Sequence, residues 1–315
     1  MKAIAIDAYK TSGSLHGLPE PPLGEDAIRV AVTFAGVNPV DWKIRAGKSG
    51  QDRKPPIVLG QDFAGTVEEL SGHAHAPKGA RVFGCARANG SYAEHTVVPN
   101  HAQDSPYAPI PDGISDEVAA ALPTPGLTAL GALALLEAAR DTRLLIVGAA
   151  GAVGSIALQA ARHRGARVTA VVRPGQASDV RALGADDIVE TNDGVLEAVQ
   201  SGGREPYDAV LDLVSDGDAL KANAPLLRRG GKLVSTIHVA DEAWFRAHDI
   251  VATNIVMSET PQSSPEGLTE LAKLVAGGIV NVGVTGERPL ADAPALLDEM
   301  QAGTRPGKFV LRVRG

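Results

Sequence analysis

Glycines spaced for a close backbone approach carry the first chemical signal of this chain. In Leu144-Leu145-Ile146-Val147-Gly148-Ala149-Ala150-Gly151-Ala152-Val153-Gly154, branched apolar residues run into a glycine-rich turn and then an Ala-rich segment. Such a run suits a parallel strand buried on both faces. A tight turn between strand and helix lets the backbone approach a diphosphate, whose charge rests on free N–H groups and the positive end of the following helix. Against the pattern G-x-G-x-x-G, Ala149 stands at the first glycine, and Gly151 and Gly154 follow. The helix expected over Ala152–Arg164 closes with Arg162, His163, Arg164 and Gly165, which places cations at the negative dipole end and a glycine after it. Ala149, Ala150, Gly151, Ala152, Val153 and Gly154 are therefore candidate cofactor-binding residues.

The next expected strand, Val168–Val172, bears on which dinucleotide binds. An NAD enzyme usually ends this strand with Asp or Glu, about 20 residues beyond the glycines, to take the ribose 2′-hydroxyl. Here Val172 is followed by Arg173, and no acid comes before Asp179. A guanidinium can hold a 2′-phosphate bidentately, so Arg173 points to NADP(H). Its plain alternative is a solvated loop residue.

These residues need a frame, and the chain is long enough for two domains: 315 residues, 44% hydrophobic and 21% charged, as in a globular enzyme. The net charge is −7 with no dense Lys/Arg run, which argues against nucleic acid as a partner. The most apolar stretch, Gly126–Leu136, is too short to span a bilayer, and the start Met1-Lys2-Ala3-Ile4 lacks signal-peptide organisation, so no membrane is expected. A single cysteine, Cys85, excludes an intrachain disulfide and a cysteine-rich zinc lobe, and a cytoplasmic location follows as the expectation.

No period of 20 to 50 residues repeats. Up to about Ala121, short β-like runs (3–7, 27–34, 65–70, 81–84 and 92–98) alternate with Pro/Gly-rich turns, the pattern of a compact, mostly antiparallel β-domain. Further on, strands expected at 144–147, 168–172, 187–189, 209–213, 233–237 and 250–256 alternate with helices, as in a doubly wound parallel sheet. Helices near 265–276 and 293–302 and a β-like run Lys308–Val313 close the chain and return it to the β-domain. The expected class is α/β, with residues 1–121 and 257–315 in the β-domain and 122–256 in the dinucleotide-binding domain.

Several segments together resemble the medium-chain dehydrogenase/reductase superfamily and, within it, the zinc-independent quinone oxidoreductase group. They are Gly36–Gly47, Pro56–Val67, Gly90-Ser91-Tyr92-Ala93-Glu94-His95, Pro125-Gly126-Leu127-Thr128-Ala129, the Ala149–Gly154 turn with Gln159-Ala160-Ala161, and Gly307-Lys308-Phe309-Val310-Leu311. The resemblance implies a GroES-like β-domain, a Rossmann domain and an active cleft between them. It also implies a homodimer paired through the last Rossmann strand, by position Ile250–Val256, although that run could equally be an ordinary strand.

Where the zinc-dependent branch has its cysteine ligand, this chain has Asn38. The Gly-His-Glu segment is Gly60-Gln61-Asp62, and Pro123, Thr124 and Pro125 lie around the third ligand. None offers a thiolate or imidazole, and His73 and His75 sit in a polar loop, so no metal site is expected. Without a Lewis acid, a ketone would need a well-placed proton donor, whereas hydride added to an enone or quinone gives a delocalised enolate or phenolate. The expected activity is hydride transfer from NADPH to a small-molecule quinone or α,β-unsaturated carbonyl. A dedicated enoyl reductase of one specialised pathway and an NADPH-binding regulatory protein with little turnover are the alternatives.

Asn38 is the candidate contact to the substrate carbonyl or nicotinamide ribose, its alternative being a turn residue before Pro39 that bonds its own backbone. Asp41 has the alternative of an N-terminal helix carboxylate. Lys43 stands where many relatives have a tyrosine, and a surface lysine is its alternative. Asp62 replaces the glutamate of the zinc branch. Thr128 resembles the family threonine near the nicotinamide, with a helix N-cap as alternative. Ile237, at the end of its expected strand, and Lys308 complete the cofactor-binding candidates.

Overall fold

A computed structural model describes residues 1–49, 53–88, 90–100, 105–303 and 307–314. They divide into two compact units, Met1–Leu127 with Pro261–Ala276 and Val282–Gly315, and Thr128–Thr260 with Gly277–Asn281. None of the helices described is long and apolar enough to cross a membrane.

In the first unit, alternation of side chains builds the sheets. Strands β1 (Lys2–Ile6), β2 (Ser14–Gly17) and β3 (Ala27–Gly36) precede helix α1 (Pro39–Arg45). Then come β4 (Ile57–Val58), β5 (Asp62–Leu70), β6 (Arg81–Cys85), β7 (His95–Pro99), β8 (Tyr107–Pro109) and helix α2 (Asp116–Ala120). Ile28, Val30 and Val32 of β3 face inward at a period of two and pack with Phe63, Val67, Val82 and Tyr107. A second cluster joins Ile4, Ile6, Ile44, Leu59 and Tyr92 to Leu296, Leu297 and Leu311 from the end of the chain.

Helix α3 (Pro123–Leu135) leads into a six-stranded sheet: β9 (Arg143–Val147), helix α4 (Ala152–His163), β10 (Arg167–Val172), β11 (Asp187–Glu190), β12 (Tyr207–Asp212), β13 (Leu227–Ser235) and β14 (Val251–Asn254). All neighbours pair in parallel, in the order β11-β10-β9-β12-β13-β14. Strand order reverses between β9 and β12, and in such sheets ligands bind outside the strands' carboxyl ends at that point. The sheet packs Leu145, Val171, Val210, Leu233 and Ala252 into one core.

The chain ends with the helices Pro265–Ala276 and Ala293–Gln301, strand β15 (Val284–Pro289) and strand β16 (Lys308–Arg312), which lies between β15 and β3. The short strands β4 and β8 lie outside the expected runs, and β2, β13 and β15 depart from the sequence reading too. β2 is mostly exposed, β15 is mostly half-buried, and both lack the apolar alternation that would announce them. β13 begins at Leu227, six residues early, because Leu227 pairs with Tyr207 and Arg228-Arg229-Gly230-Gly231 then bulge out of the ladder before Lys232 pairs with Ala209. It also stops at Ser235, so Ile237 lies past the strand in a half-buried bend and does not end it.

Candidate functional site

Sheet register alone assembles the first group of side chains. β16 runs antiparallel to β3 with Val310 opposite Gly36, and Val37 N–H donates to Phe309 O (3.0 Å), so Lys308 arrives opposite Asn38. On the other side of β3, Gly36 pairs with Asp62, and Asp62 pairs with Cys85 of β6. Lys308, Asn38, Asp62 and Cys85 thus lie at adjacent strand ends, and Thr124, near the start of α3, closes the group.

Hydrogen bonds inside the group leave little unassigned. Lys308 Nζ donates to Asn38 Oδ1 (2.7 Å) and Val37 O (3.1 Å) and stands 3.8 Å from Asp62 Oδ2. Asn38 Nδ2 donates to Asp62 Oδ2 (2.7 Å). Asp62 also accepts from Thr124 Oγ1 (2.6 Å), Thr124 N–H (3.1 Å to each oxygen) and, more weakly, Cys85 Sγ (3.7 Å). Asn38, Asp62 and Lys308 are 3%, 0% and 5% exposed, so a low-dielectric interior strengthens these contacts and penalises any left unmade.

Asp41 sits one layer further in. As the third residue of α1 its Oδ2 accepts the Asn38 backbone N–H (2.8 Å) and the Tyr92 hydroxyl (2.8 Å), while its Oδ1 has no partner. The N-terminal helix carboxylate reading is realised, inside a fully buried site. Burial raises the Asp41 carboxyl from 3.8 to about 7, against the lowering effect of its hydrogen bonds and of Lys308. Burial pushes the Tyr92 hydroxyl and the Cys85 thiol well up and the Lys308 ammonium down.

The structure therefore brings together Asn38, Asp41, Asp62 and Lys308. Asn38 turns its amide toward Asp62 and Lys308 and also takes part in the capping box with Asp41 at the start of α1. Lys43 stays out of the cluster: it is half-buried on α1, with its ammonium 6.0 Å from the Trp42 ring. Tyr92, Thr124 and Cys85 were not foreseen as site residues. Tyr92 and Thr124 lay within quoted segments, but no spacing tied them to Asp41 or Asp62.

The second group is the turn after β9. Gly148, at φ +85°, takes the left-handed conformation the tight turn needs, and a Cβ there would meet Val214 Cγ1 at 2.9 Å. The demanding first position is therefore Gly148, which leaves Ala149 free to carry a buried methyl. Gly154 gives close packing instead: its Cβ would lie 2.5 Å from Gly148 O and 2.7 Å from Ala149 Cα. Gly151 caps α4, and Ser155 N–H is the first to bond back (Gly151 O, 2.8 Å), so the amides of Ala152, Val153 and Gly154 have no intrahelical acceptor. Ala150 is half-buried on the same turn.

Arg173 is exposed just beyond β10, and its guanidinium has no partner among the described residues. Thr128 lies inside α3, 8% exposed, which rules out the N-cap reading.

The turn fits a dinucleotide diphosphate, with free amides at a helix start and no side chain to block close approach. The Asn38 group does not fit a zinc ion. The Asn38 amide already donates to Asp62, the Lys308 ammonium stands 3.8 Å from it, and among the described residues no three of His, Cys, Asp or Glu are placed to hold a metal.

Residues 24–112 match the family model of the alcohol dehydrogenase GroES-like domain, and residues 152–277 that of the zinc-binding dehydrogenases. The chain is 29% identical, over 99% of itself and 98% of the relative, to a chloroplast envelope quinone oxidoreductase homolog of Arabidopsis thaliana. It is 32% identical to acrylyl-CoA reductase AcuI of Ruegeria pomeroyi, over 76% of the chain and 75% of that protein. It is also 32% identical to the spectinabilin polyketide synthase system protein NorB of Streptomyces orinoci, matching 92% of itself but only 13% of that much longer protein. The Escherichia coli quinone oxidoreductase complexed with NADPH superposes with a TM-score of 0.87 at 25% identity, over 99% of this chain and 100% of that one.

Proposed function

The chain belongs to the medium-chain dehydrogenase/reductase superfamily, in its quinone oxidoreductase-like group, and from that premise we propose that it uses NADPH to reduce a quinone or an α,β-unsaturated carbonyl compound without a metal. Membership makes it an NAD(P)H-dependent oxidoreductase. The observation that carries the finer reading is the donor-rich Asn38 group, in which an amide and an ammonium surround Asp62. A conjugated acceptor needs hydrogen-bond donors at its oxygen rather than a Lewis acid, because the charge that develops there is already delocalised.

Bound NADPH supplies the hydride. Asn38 Nδ2 carries two hydrogens, one of them committed to Asp62, and the second is the donor proposed for the substrate oxygen. The Gly148–Gly154 turn holds the diphosphate, and Thr128 lies toward the nicotinamide in this reading. Arg173 supports NADPH over NADH because an exposed guanidinium without an ion pair suits a 2′-phosphate. The match to a segment of a polyketide synthase protein favours, as a second reading, an enoyl reductase dedicated to one metabolite. A homodimer through β14 and a reducing cytoplasm complete the proposal.

Oxidation of NADPH and of NADH, followed by the loss of reduced-nicotinamide absorbance, tests it with a panel of quinones, enones and simple ketones, with and without EDTA. Quinones and enones should turn over, ketones should not, and EDTA should change nothing. Loss of activity on chelation defeats the metal-free reading, and turnover of a single enone selects the dedicated enoyl reductase. Arg173→Ala should raise the NADPH KM about tenfold, the worth of a charge-assisted hydrogen bond, with kcat nearly unchanged.

A further inference from the structure

We propose that Lys308 is a positioning residue: its ammonium, sealed within the first unit, is a built-in cation that fixes the Asn38 amide in one orientation and balances the charge of Asp62. An amide has two ends of similar shape, so its orientation depends on its neighbours. Here Oδ1 accepts from Lys308 Nζ at 2.7 Å and Nδ2 donates to Asp62 Oδ2 at 2.7 Å. Turning the amide over would set its NH2 against an ammonium and its oxygen against a carboxylate. Both contacts would be repulsive in a buried site, so only one orientation survives.

Delivery of the cation belongs to the fold. Lys308 lies 270 residues from Asn38 and reaches it only because β16 pairs with β3 in the register that sets the two opposite each other. The acceptors next to the ammonium and the amide are matched as well: Val37 O takes a further Lys308 hydrogen, and Thr124 and Cys85 supply donors to Asp62. Asp41 is the other carboxyl that acts on the ammonium, and the titratable thiol of Cys85 also faces it. Lys308 is 5% exposed and all its polar contacts are internal, which is the geometry of a support rather than of a cofactor contact.

The role of Asn38 as donor to substrate rests on the function proposed above, so the test separates the two. Steady-state kinetics with NADPH and a quinone, together with thermal unfolding, are measured for wild type, Lys308→Met, Lys308→Arg, Asp62→Asn and the double variant K308M/D62N. Lys308→Met should lower kcat at least tenfold while the NADPH KM moves less than twofold, and Lys308→Arg should recover part of the loss. Each single neutralisation should lower Tm, because it strands a buried charge, and the double variant should unfold above Lys308→Met. A raised NADPH KM with kcat retained would make Lys308 a cofactor contact and overturn the proposal. Tm losses in the double variant equal to the sum of the singles would overturn the charge balance. If wild type reduces none of the panel, the proposed activity fails, while the thermal cycle still decides whether Lys308 and Asp62 balance.

Discussion

Asp41 shows most directly how one residue couples this interior to the solution. Its carboxyl holds its proton up to about pH 7 in the folded protein, against 3.8 in the unfolded chain. Between those values the unfolded state releases the proton first, so this residue's contribution to stability is complete below about pH 4 and is lost as pH rises through about 7. The full loss is on the order of 4 kcal/mol. Asp41→Asn keeps an acceptor for the Asn38 N–H and the Tyr92 hydroxyl and cannot ionise. Denaturant titrations at pH 5 and pH 8 should show the difference between variant and wild type moving in the variant's favour at the higher pH. A constant difference would mean that Asp41 is ionised across the range. The identities of Asn38, Asp41 and Asp62 were legible from their motifs. Their partners were not, because Tyr92, Thr124, Cys85 and Lys308 meet them through sheet register, which no local spacing encodes. Lys43 misled for the converse reason: two residues beyond Asp41 on a helix is a different face.

Elements with a strong internal period were legible, and those without one were not. The helix Pro265–Ala276 runs as the sequence indicates, and the core strands of the parallel sheet fall within a residue or two at most ends, since branched apolar runs admit few other structures. β2 and β15 carry no such signal, and the ends of β13 were set by its pairing with β12. The turn between β9 and α4 has a backbone that leaves little room for change. Gly154→Ala would place a methyl against backbone atoms that cannot swing aside, unlike the end of a flexible side chain. Relief must come from shifting the start of α4 away from the turn, at about 1–3 kcal/mol. The NADPH Kd from fluorescence titration should rise at least tenfold in this variant, with Tm lower by several degrees. Unchanged affinity would show that the amides of Ala152–Gly154 do not hold the diphosphate.

On the scale of the whole molecule, the edge of the six-stranded sheet is where the proposed homodimer can be tested. β14 is the last strand of that sheet, the Asn254 N–H at its end donates to Glu242, and Val251 on it is 58% exposed. Natural edge strands are commonly protected by lysines, prolines or bulges, and the described residues Val251–Asn254 carry no charge and no proline. Pairing with a second copy about a two-fold axis would satisfy both edges through one self-complementary patch and extend the sheet across the two chains. Val256, 36% exposed just past the strand, would add apolar area to it. Val251→Lys removes that apolar contact and brings like charges together near the axis, so it should weaken dimerisation at least tenfold. Light scattering behind size exclusion at micromolar concentrations should find a wild-type dimer and a monomeric variant. NADPH affinity should stay within twofold, because the phosphate-binding amides belong to the start of α4 and not to β14. A monomeric wild type, or a variant as dimeric as wild type, would leave β14 as an ordinary edge strand and send the search for a subunit contact elsewhere.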